Sequence, residues 1–245
     1  MQIAPPYGYR EVVPFLKNHK VRLLAPAEVP AFAREANAIP ISYTEFQPVC
    51  REYPIVFTSG DGKSGFAPVA VTGLASGENL FNAQGRWAPG VYVPAYVRRY
   101  PFCMARVAVN KVEQKDRLIC IEKAHLADDG EAMFDAGGAP TAKWQDLERL
   151  LGEYEKDLER SREMCSILAD YSLLEPFTMQ ATPRAEGAKP LQMTGMFRVA
   201  EKKIEELNSA QLKNLVRKGI LARVYLHLLS LENFGRLLDR RASRA

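Results

Sequence analysis

The sequence predicts an α+β fold with a mainly antiparallel sheet, one long helix and a C-terminal helical pair. Three observations carry this expectation. Short β-branched and aromatic runs, broken by Gly, Pro and Asp, fill residues 53–139; apolar residues recur at three- and four-residue steps across 140–176; two further amphipathic stretches follow residue 208. At 245 residues, 47% hydrophobic and 25% charged, the chain can bury a large core, and its composition is neither disordered nor fibrous. It reads as one domain over 1–245, made of a wrapping segment (1–50), a strand-rich region (53–139), the long helix (140–176) and a strand with C-terminal helices (190–245).

In the first region, 20–24 is a short strand and 27–37 a short helix whose Pro30 suits a first turn. Strands are expected at 53–58, 66–74, 102–109 and 117–122, the first two joined as a hairpin by the glycine-rich turn 59–65. Two stretches echo each other: Gly77-Glu78-Asn79-Leu80-Phe81-Asn82-Ala83-Gln84-Gly85 and Gly130-Glu131-Ala132-Met133-Phe134-Asp135-Ala136-Gly137-Gly138. Tyr53-Pro54 and Tyr100-Pro101 also each open a strand, so the region reads either as an internal duplication or as a coincidence of two common turn chemistries.

Pro140-Thr141 opens the long helix, and Pro176 is expected to stop it near Leu174. Trp144, Leu147, Leu151, Tyr154, Leu158, Cys165 and Leu168 form its packing side, while Glu148, Glu153, Glu155, Asp157, Glu159, Arg160 and Arg162 face away. About thirty residues would span about 45 Å, so the helix either crosses the fold or breaks near Ser161, and it could serve as the seam of a homodimer. After a polar loop at 182–190, strand character returns at 191–199. Asn208 with Gln211 matches a capping box for a helix that ends before Gly219, and a final helix runs from Ile220 to about Arg241. Its basic end, Arg236, Arg240, Arg241 and Arg244, suits the C-terminal dipole.

Several function classes are excluded or disfavoured. A net charge of +4 is too mild to imply nucleic acid, and the basic residues form no run. The most apolar run, 220–231, contains Arg223 and His227 and is shorter than the ~20 residues of a membrane span. Residues 1–10 lack the basic-then-apolar pattern of a secretory leader, so cytoplasm is the expected compartment. Cys50, Cys103, Cys120 and Cys165 show no metal-ligand spacing, and no metal or cofactor is expected. The turn Gly60-Asp61-Gly62-Lys63-Ser64 does not match the spacing of a phosphate-binding loop.

The stretch 85–102 combines aromatics, prolines and three arginines. Trp87, Tyr96, Arg98, Arg99 and Tyr100 read as a binding surface for a protein, peptide or small anionic ligand, because guanidinium groups grip carboxylate or phosphate while aromatic rings stack on apolar groups. The plainer alternative pairs the arginines with acidic neighbours such as Glu78. A competing catalytic reading assembles His125 with Cys103 or Cys120 and with Arg98 and Arg99. In it, the strand cysteines approach each other or His125.

Tyr53-Pro-Ile-Val-Phe, Pro68-Val-Ala-Val-Thr-Gly-Leu, Gly77-Glu-Asn-Leu-Phe, Gly85-Arg-Trp, the run 92–102 and the closing Leu226-His-Leu-Leu-Ser-Leu-Glu-Asn-Phe together resemble the bacterial SapC family. The likeness extends over nearly the whole chain. The family takes its name from a surface-layer gene neighbourhood, so the resemblance implies a surface-layer-related structural role as a third expectation and carries over no catalytic residue. The leading expectation is a cytoplasmic, non-enzymatic binding or accessory protein.

Overall fold

The computed structural model describes residues 3–62, 65–109, 112–181 and 190–244. Residues 182–189 of the predicted polar loop, and Lys63 and Ser64 of the glycine-rich turn, lie outside them. Twelve strands are present among the described residues: β1 (Val12–Pro14), β2 (Lys20–Val21), β3 (Ala38–Pro40), β4 (Ile55–Thr58), β5 (Ala67–Val71), β6 (Asn82–Ala83), β7 (Arg86–Trp87), β8 (Phe102–Val109), β9 (Val112–Glu122), β10 (Glu131–Ala132), β11 (Leu174–Ala181) and β12 (Leu191–Val199). The helices are α1 (Phe46–Val49), α2 (Ala95–Arg98), α3 (Ala142–Asp170), α4 (Ser209–Arg217), α5 (Ile220–Ser230) and α6 (Asn233–Ala242). The expected helix at 27–37 is only a 3-10 turn, Ala31–Ala33, entered from Pro30.

The strands form a five-stranded sheet in the order β11-β12-β4-β5-β3, a three-stranded sheet β1-β9-β8 and two small pairs, all antiparallel. The fold is therefore α+β, as expected. The echo in the sequence has a structural counterpart. The hairpin β4-β5 carries β3 on the outer side of its returning strand, and the hairpin β8-β9 carries β1 in the same place. Each hairpin follows a Tyr-Pro pair whose proline carbonyl accepts a bond from the far end of the returning strand, Val71 N–H to Pro54 at 2.8 Å and Glu122 N–H to Pro101 at 2.9 Å. In each following turn an Asx side chain closes the loop: Asn82 Oδ1 accepts from Gly85 N–H, and Asp135 Oδ1 from Gly137 and Ala139 N–H. The apolar residues before these Asx positions divide between two cores. Leu80 and Phe81 enter the larger core, around the five-stranded sheet, while Met133 and Phe134 join Phe102, Ile121 and Trp144 in the smaller one.

Helix α3 spans both cores. Its 29 residues correspond to about 44 Å. Thr141 caps it by accepting from Trp144 N–H, and the Trp144 ring packs against Phe15, Phe102 and Phe134 at centroid separations of 4.7–5.5 Å. At its other end Met164, Cys165 and Leu168 lie in the larger core. There is no break at Ser161, whose buried hydroxyl donates back to the Asp157 carbonyl at 2.8 Å. The helix stops earlier than Pro176. Ser172 takes a left-handed φ of 55°, and Leu173 N–H bonds the Leu168 carbonyl, a six-to-one closure that satisfies a terminal carbonyl. Pro176 instead sits in β11, an edge strand, where a missing N–H costs the sheet little.

The C-terminal capping box is present as predicted, with Asn208 and Gln211 bonding each other's backbone N–H groups, and Gly219 supplies the left-handed residue between α4 and α5 at φ 67°. The predicted last helix is divided at Leu231-Glu232. Buried Asn233 opens α6 and donates to the carbonyls of Cys50 and Tyr53 at 2.8 and 3.1 Å, backbone groups that no strand or helix of the sheet region satisfies. The basic residues at and just beyond the end of α6 act as a clamp more than as dipole partners. Arg244 donates to the carbonyls of Asn79, Leu80 and Asn82, the Arg240 guanidinium lies 4.5 Å from the centre of the Phe81 ring, and Arg241 pairs with Glu78.

Strands β4 and β12 meet at one aligned pair, Phe57 opposite Phe197, and side chains of α5 complete the seam. His227, fully buried, lies with Nδ1 2.8 Å from the Ile55 carbonyl, and its Nε2 accepts from Val199 N–H at 3.1 Å. The Ser230 hydroxyl accepts from Ile55 N–H. These partners select the neutral Nδ1–H tautomer. Burial pushes the imidazole down to about 4 from its usual 6.5. The unfolded chain therefore takes up this proton first, so the contribution of His227 is fully present above pH 6.5 and is lost as the pH falls toward 4. Urea unfolding at pH 7.0 and pH 4.5 checks this: the wild type should lose on the order of 2–3 kcal/mol more than His227→Gln across that interval.

Candidate functional site

The hairpin β6-β7 turns through Gln84 and Gly85, both at positive φ (52° and 79°), the pattern of a two-residue type I′ turn. Its outer strand is held by the N-terminal segment, through Trp87 N–H to the Ala27 carbonyl and Val29 N–H to the Gly85 carbonyl, each 2.8 Å. Trp87 Nε1–H donates to the Tyr53 hydroxyl at 2.9 Å, which itself donates to the Tyr92 carbonyl at 2.6 Å. Helix α2 is fixed at its start by buried Glu45. That carboxylate accepts from Ala95 N–H and the Tyr92 hydroxyl through Oε1, and from Ser42 N–H and hydroxyl through Oε2.

Between these elements lies a cavity of about 320 Å³ lined by Leu23, Leu24, Ala27, Val93, Val97 and Leu147, with Trp87, Tyr100, Arg98 and Glu28. Across Ala25 and Glu28 it adjoins a second cavity of about 400 Å³, lined by Pro26, Arg34, Gln84, Gly85 and Arg86. Trp87, Arg98 and Tyr100, three of the five residues singled out from the sequence, thus meet at one surface groove. Arg98 is exposed, donates to the Val93 carbonyl and the Tyr92 hydroxyl at 3.0 Å each, and has no carboxylate partner among the described residues.

Tyr96 and Arg99 do not belong to the groove. They project from the other side of α2 into the interior, as expected for positions three apart, which share a face. Tyr96 donates to the Tyr7 carbonyl at 2.6 Å. Arg99 is 3% exposed; its guanidinium lies 4.3, 4.7 and 5.7 Å from the rings of Tyr96, Tyr154 and Tyr9, and 3.7 Å from Glu155. Glu155, expected on the solvent side of the long helix, is therefore buried, and it pairs with Arg117 as well. Of the arginines in 85–102 only Arg99 pairs with an acid among the described residues, and that acid is Glu155; Glu78 pairs with Arg241 instead. Burial raises the phenols of Tyr9, Tyr96 and Tyr154 above their ordinary value, with the Arg99 charge opposing it, so the cluster holds one cation among neutral rings.

The catalytic combination does not assemble. Cys103 and Cys120 do face each other, as direct cross-strand partners in β8 and β9, but both are fully buried and burial pushes their thiols up to about 12 and 11. A thiol held protonated is a poor nucleophile. His125 stands edge-on to Tyr100 at 5.0 Å, with Nδ1 2.6 Å from the Arg22 carbonyl, and no hydrogen bond joins it to either cysteine. The groove residues that the sequence reading missed, Leu23, Leu24, Glu28 and Arg34, come from the N-terminal segment, which is joined to the 85–102 stretch by the bridge between residues 27–29 and 85–87.

The fold and the groove define an α+β protein of paired antiparallel units with an arginine- and aromatic-lined surface cleft. No helix among the described residues is long and apolar enough to cross a membrane. The SapC family profile matches residues 16–237, and the chain belongs to the SapC family. No curated protein and no solved structure matches the chain.

Adjacent arginines with opposite surroundings give a direct check. Arg98→Ala should change the unfolding free energy by no more than about 0.5 kcal/mol, whereas Arg99→Ala, which strips a buried cation from Glu155, should cost about 3 kcal/mol by chemical denaturation. A thiol-reactive reagent at pH 8 should modify half-buried Cys50 in the native protein, and Cys103, Cys120 and Cys165 only after denaturation.

Proposed function

We propose that this SapC-family protein is a cytoplasmic, non-enzymatic recognition or accessory protein that captures a peptide, protein or small anionic ligand in the groove beside α2. The observation that carries this reading is the convergence of Trp87, Arg98 and Tyr100 on one open cavity floored by Val93, Val97 and Leu147. Apolar walls with a few placed polar groups are what a recognition site needs. The same surface offers no activated nucleophile among the described residues: the thiols of Cys103 and Cys120 are interior and protonated, and His125 stands edge-on to Tyr100. Arg98 supplies charge without holding the fold together, because its bonds are to its own loop. Arg99, which the sequence grouped with it, has a structural role in this reading.

Native mass spectrometry of the protein purified from its own host, against its denatured mass, tests the reading. A reproducible non-covalent added mass that is lost in Arg98→Ala, with the melting temperature unchanged, is the expected result. An unliganded mass for the wild type, or an added mass that Arg98→Ala retains, would count against the groove as the recognition site.

A further inference from the structure

The two adjoining cavities differ in chemistry. The one against α2 is walled by Trp87, Val93, Val97 and Leu147, whereas the one under the β6-β7 turn is walled by Arg34, Arg86, Gln84 and Gly85. Each is of the size that small-molecule sites occupy, about 300–1,000 Å³. Together they place three guanidinium groups, of Arg34, Arg86 and Arg98, against the single carboxylate of Glu28.

These four charges are not equally available. Glu28 accepts from Ala25 N–H through Oε2 and lies 3.8 Å from Arg34 through Oε1, so its charge is directed at its own protein. Arg34 donates from Nε to the Val29 carbonyl and packs on the turn, with its Cζ 3.8 Å from where a Cβ of Gly85 would stand. Arg98 is bonded to Val93 and Tyr92. Arg86 is exposed and makes no side-chain hydrogen bond or ion pair among the described residues. A guanidinium with all its donors free, beside a second one already oriented by the backbone, is arranged to take a carboxylate or phosphate. An apolar cavity opens next to it.

We propose, building on the recognition reading above, that the ligand is a small amphiphile whose single anionic head, carboxylate or phosphate, is gripped by Arg86 with Arg34 and whose apolar body lies on Trp87 between α2 and α3. The hairpin turn is then the selectivity element, reading charge, and the α2 cavity supplies affinity by burying apolar surface.

Binding of octanoate, octyl phosphate and octanol to the full chain, measured by ligand-observed NMR titration with wild type, Arg86→Gln and Arg98→Ala, tests the assignment. Octanoate and octyl phosphate should bind wild type at least tenfold more tightly than octanol, and Arg86→Gln should abolish that preference while leaving octanol binding unchanged. Equal affinities for all three probes in wild type, unaffected by Arg86→Gln, would overturn the anionic assignment and leave the groove standing as a recognition site. A preference for the anions that Arg98→Ala removes and Arg86→Gln does not would overturn the role of the turn. Failure of all three probes to bind would overturn this ligand class, and the host-derived mass would then decide the broader reading separately. Arg86→Gln is chosen because the exposed side chain leaves no partner stranded when it changes.

Discussion

A guanidinium buried among three tyrosines is the joint on which the rest of the molecule is built. Arg99 stands where the two cores approach each other along α3, with Tyr96 from its own helix, Tyr9 from the N-terminal segment, and Tyr154 and Glu155 from the long helix gathered around it. Removing such a charge from water is expensive, and a carboxylate with aromatic faces offsets the cost only in a fixed geometry. The geometry therefore fixes the roll of α2. With Arg99 turned inward, Arg98 must face out, and Val97 and Arg98 present themselves to the groove.

The two β-units on either side of this joint explain the length of α3. Each unit is a hairpin with an added outer strand and an Asx-closed turn, and each buries its own apolar pair, Leu80-Phe81 or Met133-Phe134. Neither has a sheet wide enough to enclose a core unaided. A helix that packs Trp144 on one unit and Leu168 on the other lets both exclude water with a single element. The second unit has no equivalent of β11 and β12, and its core is correspondingly the smaller one.

Local signals were legible in the sequence, and tertiary ones were not. Strands β8 and β12 occur with the boundaries their β-branched and aromatic runs suggest, and the Asn208–Gln211 capping box and Gly219 mark α4 as local chemistry should. The end of α3 was misread because Pro176 is the conspicuous breaker, whereas the actual stop is a left-handed Ser172, a residue with no strong preference for that conformation. Glu155 looked like one more surface acid; only Arg99 and Arg117, distant in the chain, make its burial tolerable. For the site, the residue types in 85–102 single out Trp87, Arg98 and Tyr100, which line one cavity. The division of that stretch into an outward and an inward set depends on the roll of a four-residue helix, too short to leave a periodic trace. Arg86 is one of the three arginines of that stretch, whereas Arg34 carries no local mark, since it meets Arg86 through the pairing of 27–29 with 85–87.

The clamp at the end of α6 and just beyond it gives the groove a place in time as well as in space. The turn that precedes the β6-β7 hairpin is held by Arg244, bonded to a carbonyl 164 residues earlier in the chain. A ribosome delivers the hairpin long before it delivers the residue that secures it, and segments made early wait for such late contacts before settling. The sheets and the long helix are complete by residue 199, so a nascent chain can have both in place while the turn that leads into the cleft still lacks the side chain that secures it.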